Sequence, residues 1–324
     1  MAKVQIIDVI EPKVFAPYVS LRTLKRSALF QSGIAVRDPR VDALARQGGR
    51  TFNMPFWNPL TGNSEILSDT LALTPSKVGT GQDISVLNLR GKSWKVNDLA
   101  EVVAGDDPVA AIANGIADFW AADMQDTLNA MLTGVFTGPL ASSHMKDISV
   151  TDAATATSAN KISAQAMLAA TFLLGDRQGE LTGMITHSAI LQEMINQSLI
   201  IYDADPETGV AVPSYLGRRV IVDDDALAIP TTNGFKFYTI LFAAGSIRFG
   251  EGTPKKAFEA DRDVLFGDDI LVTRRHFILH PSGVAFTGTF AGATPTNAEL
   301  ANPSSWTKVY ENKMIRMVAL VTNG

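Results

Sequence analysis

Helical and strand-like segments follow one another in this chain without settling into a βαβ series, and that irregular order predicts an α+β fold. Two features carry the prediction: a single sustained run of apolar residues at helical spacing from Val109 to Val135, and a C-terminal third dominated by short β-type runs. With 324 residues, 46% hydrophobic and 19% charged, the chain can bury a large core as one elaborate domain or two ordinary ones.

The formal charge of -5, with acids and bases interspersed, argues against a domain built to grip duplex nucleic acid through counterion release. The absence of cysteine excludes disulfides, cysteine nucleophiles and thiolate metal sites together. No stretch approaches the roughly 18 uncharged apolar residues of a membrane span. The amino terminus interrupts its short apolar run with Asp8, Glu11 and Pro12, which does not read as a signal peptide.

Taken in order, residues 1–19 carry Pro12 and Pro17 among apolar residues with no sustained period, the pattern of an extended arm. Ser20 to Gly33 reads as a short helix, with Ser20 as N-cap, Leu21, Leu24 and Ala28 on one face and Arg22, Lys25 and Arg26 on another. Thr51 to Trp57 alternates with Phe52, Met54 and Phe56 on one side, as a half-buried strand does, and Pro55 assigns it to an edge. A second alternating run at 82–96 sets Ile84 and Val86 on one face, Leu87 and Leu89 on the other. The span between contains Pro59, Gly62, Pro75, Gly79 and Gly81 and far exceeds the usual 2–5 residues of a hairpin turn, so a projecting two-stranded loop is expected.

Asp106-Asp107-Pro108 is a helix start: an acidic cap, a proline at the first helical position and negative charge at the positive end of the dipole. The helix it opens is expected to end near Gly134 and Pro139 after about 27 residues, roughly 40 Å. Its aromatic pair Phe119 and Trp120 falls on the apolar stripe and reads as core. Helices are expected at Ser163–Leu174 and Ser188–Leu199, with a strand at Leu181–His187 between them and a turn-rich loop at Asp203–Gly209. Strands follow at Arg218–Val222, Phe237–Phe242, Ile270–Leu279, Val284–Thr289 and Met314–Thr322.

Candidate chemistry is sparse. Asp223-Asp224-Asp225 suggests a hard cation, but adjacent residues of an extended chain point in opposite directions and no calcium-loop spacing follows, so an exposed, solvated or arginine-paired turn is the better reading. His276 and His280 are four apart, yet Arg-Arg-His-Phe-Ile-Leu-His-Pro is β-type in composition and lacks the glutamate of a zinc hydrolase. Gly-x-Ser-x-Gly is absent, and Gly250 to Lys256 lacks the glycine spacing of a phosphate loop. No catalytic, cofactor-binding or metal-ligating residue is assigned, and an enzyme is not expected.

Three stretches carry a family resemblance: "ITHSAILQEMINQSLI" at 185–200, "SYLGRRVIVDDDALAIP" at 214–230 and the run from Tyr238 to Gly288 beginning "YTILFAAGSIRFGEG". They resemble the major capsid proteins of tailed bacteriophages, and the order of elements agrees over nearly the whole chain. The resemblance implies an N-terminal arm at 1–34 and a segment at 35–139 holding an extended β-hairpin loop (about 48–97) and the spine helix (about 107–134) of a peripheral domain. It further implies an axial domain at 140–245 and returning peripheral strands at 246–324.

By the same resemblance the subunit self-assembles in the host cytoplasm into pentameric and hexameric capsomers of the virion's icosahedral head. The head encloses double-stranded DNA without sequence-specific binding. The implied partners are a portal, a separate scaffolding protein and a decoration protein, with no cofactor and no membrane. No charge-rich scaffold-like segment precedes the arm, and the crosslinking residue set of some relatives is not identifiable. The candidate inter-subunit contacts are Phe52, Met54, Phe56 and Trp57 on the loop, and Arg218, Arg219, Asp223, Asp224 and Asp225, paired across the capsomer axis. A bacterial nanocompartment shell of the same fold is the alternative, told apart by protein cargo in place of DNA and portal.

Overall fold

A computed structural model describes residues 33–67, 69–70, 72–97, 108–204, 211–224 and 228–323. The expected arm up to residue 32, most of the helix read at 20–33, the cap Asp106-Asp107 and Asp225 lie outside these residues.

Two sheets and one long helix organise the rest. The first sheet is built on Asp268–Pro281, a 14-residue strand. Asn88–Asn97 runs antiparallel along one side of it. The other side is shared end to end by Phe258–Asp263 and Ile247–Gly252. Ala35–Arg37 adds a parallel strand outside Ile247–Gly252. The second sheet orders Met145–Asp147, Met317–Thr322, Gly234–Phe242, Gly183–Thr186, Arg218–Val222, Ala211–Tyr215 and Ile201–Ala204, with Ala228–Thr231 also paired to Gly234–Phe242. The terminal strand is therefore interior to this sheet, between Met145–Asp147 and Gly234–Phe242, and does not stay with the other strands of 246–324.

Met317–Thr322 is buried at every position, and its unbroken Met-Val-Ala-Leu-Val-Thr is what a strand covered on both faces requires. Alternation sends Met317, Ala319 and Val321 into the core formed by the long helix, and Val318 and Leu320 into a second core. The second core is roofed by helices Ala164–Thr171 and Ser188–Asn196 through Met167, Ala170, Ile190 and Met194. Ser163 caps the first of these helices by accepting from the Ala166 N–H.

The long helix, Pro108–Thr137, has 30 residues and spans about 45 Å. Trp120 is buried and donates its indole N–H to the Thr273 hydroxyl of the first sheet at 3.1 Å, while Phe119 lies edge-on to Trp94. Further along, Leu128, Met131, Leu132, Val135 and Phe136 enter the main core. The helix ends at Thr137, between Gly134 and Pro139, so Gly134 lies inside its last turn. Gly134 faces the carbonyl of Leu300, and a Cβ built on it would lie 2.2 Å from that oxygen. Close packing, not termination, explains the residue.

The alternating run at 82–96 is two strands. Thr80–Val86 belongs to a separate hairpin and Asn88–Asn97 to the first sheet. Leu87 makes the crossing, its N–H donating to Arg50 O and its carbonyl accepting from the Thr294 hydroxyl.

Candidate functional site

The hairpin is Thr51–Trp57 paired antiparallel with Thr80–Val86, from Thr51 opposite Val86 to Trp57 opposite Thr80. The Asn58 N–H closes it on Gly79 O at 2.9 Å, and the described residues between 59 and 78 form its tip. An isolated two-stranded ribbon is marginal in water, so its root needs anchors. Phe52 supplies one, packed with Val41, Ala45, Leu87 and Ile278. Phe56 supplies another, edge-on to Tyr310 at 4.7 Å; Gly81 opposite it leaves room for the ring, since a Cβ there would come within 2.3 Å. A third is polar: Asp83 on the hairpin and His280 on the long strand approach to 2.9 Å, each 1% exposed, and the Gly283 N–H points at the other Asp83 oxygen.

Exposure then rises from root to tip: Phe52 8%, Trp57 73%, Leu60 84%, Ile66 95%. Apolar side chains are thus presented outward on a ribbon held rigidly at one end. Of the four aromatic and apolar candidates, Phe52 is corrected to intrachain core, because its ring is spent on the root. Met54 and Phe56 are half-buried, and Trp57 is free to meet another surface.

The charged candidates divide similarly. Arg218 is half-buried and donates Nε to Leu181 O at 3.1 Å and a terminal nitrogen to Gln178 O, so its partners lie in its own chain. Desolvation by burial pushes its pKa below the ordinary arginine value. Arg219 is exposed. Asp223 is buried, not part of an exposed turn, and its N–H extends the strand by donating to Thr186 O. Asp224 is exposed, but its carboxylate accepts the Ser188 N–H at the start of helix Ser188–Asn196. Hydrogen bonds from Ser188, and then the nearby His187, hold its pKa below the usual carboxylate value. Arg219 and Asp223 are four residues apart along an extended strand, about 13 Å, too far for a pair within one chain.

The histidines are structural. His276 and His280 sit on one strand about 13 Å apart, beyond the reach of one metal. His144 is buried, with Nε2–H donating to Asn312 O and Nδ1 accepting from the Ser143 hydroxyl. His187 caps its helix by accepting the Ala189 N–H. One exposed feature was missed in the sequence: Val264, Leu265 and Phe266, at the turn joining Phe258–Asp263 to Asp268–Pro281, all face solvent. The signal was present as an apolar trio between aspartates, a composition that core turns avoid.

What these surfaces equip the chain for is association through projecting apolar elements, and solved structures of the same fold are shells. The capsid of Ralstonia phage GP4 superposes with a TM-score of 0.62 over 90% of this chain and 88% of that one, at 8% identity. The capsid of cyanophage Pam1 gives 0.54 over 86% of each chain at 10% identity. The fold is therefore the one these phage capsid subunits share. Sequence narrows it: the profile of the Gp13-like family, major capsid protein 13-like, matches residues 73–316. The major capsid protein of Bacillus phage SPP1 is 43% identical over 322 residues, 98% of both chains. The chain belongs to the Gp13-like major capsid protein family. It is a structural subunit of a tailed-phage virion and not an enzyme, and these relatives do not favour the nanocompartment alternative.

Proposed function

We propose that copies of this subunit form pentameric and hexameric capsomers that close into an icosahedral head around double-stranded DNA, with the hairpin as the arm that laps a neighbouring copy. The observation that carries this reading is the exposure gradient along the ribbon, from a core-packed Phe52 to a nearly bare Ile66. Isolated apolar residues on a surface are ordinary, but a rigidly rooted ribbon carrying several of them finds cover only on a partner. Trp57, Met54 and Phe56 are its contact residues. The eight-stranded sheet with its two helices is the axial unit, and Arg219 is the charged group left open for a contact around the capsomer axis.

A net charge of -5 suits a wall that does not hold phosphate tightly, so that DNA slides during filling. A portal, a scaffolding protein and a decoration protein are the partners this reading implies. Deleting residues 60–80 tests it: circular dichroism stays native while shell formation, with or without scaffold, is lost. A deletion variant that still closes shells refutes the role of the hairpin.

A further inference from the structure

From the long helix onward the chain enters the second sheet through 138–144, leaves it through 243–246 and re-enters it through 309–316. These crossings are stitched to one another. The Ser246 hydroxyl lies 2.7 Å from Ala243 O and 2.9 Å from Arg316 O, and the Ala243 N–H also donates to Arg316 O. His144 ties the first crossing to the last. Its N–H donates to Leu140 O just past the long helix, its carbonyl accepts the Ala319 N–H of the interior strand, and its ring reaches Asn312 O at 2.8 Å. The residue is fully buried.

We propose that His144 is a proton-sensitive fastener of the last crossing: when its ring takes up a proton, 309–316 comes away from the turn at 138–144 while the rest of both cores stays closed. The geometry sets the direction. Asn312 O can only accept, so Nε2 carries the ring proton and Nδ1 is left to accept the Ser143 hydroxyl at 2.8 Å. Both ring nitrogens are therefore satisfied while the imidazole is neutral. A second proton goes to Nδ1, removes that acceptor and leaves a full charge in a site closed to water. Burial accordingly holds the ring's pKa below the ordinary histidine value. Because the closed state has the lowered pKa, the open segment binds the proton more readily, and acid favours opening.

The surroundings do not offset the charge. Apart from the backbone of Asn312 and Ile315, the group acting on the ring is the ammonium of Lys308, which has the same sign. Lys308 is held nearby through its bond to Asn312 Oδ1 at 2.7 Å. Other charges on the adjoining segments are paired elsewhere or face water. Lys313 pairs with Asp176, Arg316 with Glu180 and Asp147 with Lys236, while Lys146 and Glu311 are exposed. Release of the crossing lets the imidazolium reach water and gives up little apolar burial, because Ile315 is the one buried residue between 309 and 316. A segment with so few buried contacts opens at lower free energy than the strands it joins.

The chain has no cysteine, so an introduced thiol is its only one. Ile315→Cys places that thiol in the crossing, and Leu271→Cys, buried in the first sheet, is the control. Each unassembled subunit is labelled with a dipyridyl disulfide, which reacts with thiols in acid, and the rate is divided by that of the same variant in denaturant at the same pH. Between about pH 7.5 and about pH 5, an open-state histidine titrating near 6.5 allows the Ile315→Cys rate to rise by up to about 30-fold. The Leu271→Cys rate is expected to change little. Adding His144→Gln is expected to flatten the rise, and adding Lys308→Met, which removes the like charge and keeps the histidine, is expected to reduce it. A flat profile at Ile315→Cys, an equal rise at Leu271→Cys, or an equal rise in the His144→Gln background overturns the proposal. If His144→Gln does not fold by circular dichroism, the Lys308→Met background decides: a reduced rise supports the fastener and an undiminished one refutes it.

Discussion

Replacing Gly134 by alanine sets two physical effects against each other, and the structure decides the sign. In a helix interior, alanine for glycine contributes about 0.5–1 kcal/mol of stability through backbone entropy alone. Here the new methyl would sit 2.2 Å from Leu300 O and 2.7 Å from Trp306 Nε1. The nearer atom is backbone, so no side-chain rotation relieves it. Moreover, the same carbonyl accepts the Trp306 indole N–H at 2.7 Å in a buried setting. Overpacking costs about 1–3 kcal/mol, and losing that buried hydrogen bond costs about 1–3 more. Net destabilisation is therefore about 3 kcal/mol, a fall in midpoint of roughly 5–10 °C for a chain of this size. Thermal or urea melts of the unassembled subunit by circular dichroism read it directly. Gly91→Ala is the matched control, since its methyl meets only ordinary contacts, and it should melt at or slightly above the parent. A Gly134→Ala subunit that melts at or above the parent would refute the close-packing argument and leave helix propensity in command.

Other expectations follow from the anchors. His280→Leu leaves the buried Asp83 carboxyl facing an apolar side chain and should cost about 1–3 kcal/mol, whereas Asp83→Leu/His280→Leu should recover most of that; equal losses in urea titrations of both variants would contradict it. Burial depresses the pKa of His144, so the unfolded chain binds its proton first and stability should decline as pH falls below about 6.5. His144→Asn should flatten that part of the pH–stability curve, and an unchanged slope counts against the assignment. Asp224→Asn keeps an acceptor for Ser188 but removes the charge. Because the folded pKa is lowered, the charge contributes above the ordinary carboxylate pKa and is lost as pH falls through the folded value. The variant should therefore lose a small increment at neutral pH and none in strong acid, as read by paired melts.

Much of the architecture was legible because periodicity is a local property. The apolar recurrence from Val109 to Val135 located the long helix, and the alternation at 51–57 located the first strand of the hairpin. Prolines and glycines at 59–81 marked the long connection between its strands. Absent motifs were informative too, since they left shape as the only functional signal, and three stretches of sequence habit pointed to capsid subunits. Less local features were not legible. The strands Ile247–Gly252 and Phe258–Asp263 went unread because their glycines and charges mask β-propensity, and only the long strand between them and Asn88–Asn97 makes them strands.

The candidate residues show the same division. That Phe52 and Trp57 belong to one alternating ribbon was readable, but which of them meets solvent depended on Ile278, more than two hundred residues away. That Asp223 and Asp224 are neighbours was plain, yet one is buried in a sheet and the other caps a helix whose start lies 36 residues earlier. Sequence by itself determined the class of fold, the long helix, the projecting hairpin and the family, because each rests on patterns within a few turns or on inherited stretches. Tertiary structure alone decided that Gly134 packs against the Leu300 carbonyl and that Met317–Thr322 lies inside the other sheet. Burial, close approach and the pairing of charges are set by residues brought together across long separations, and no local pattern encodes which ones will meet.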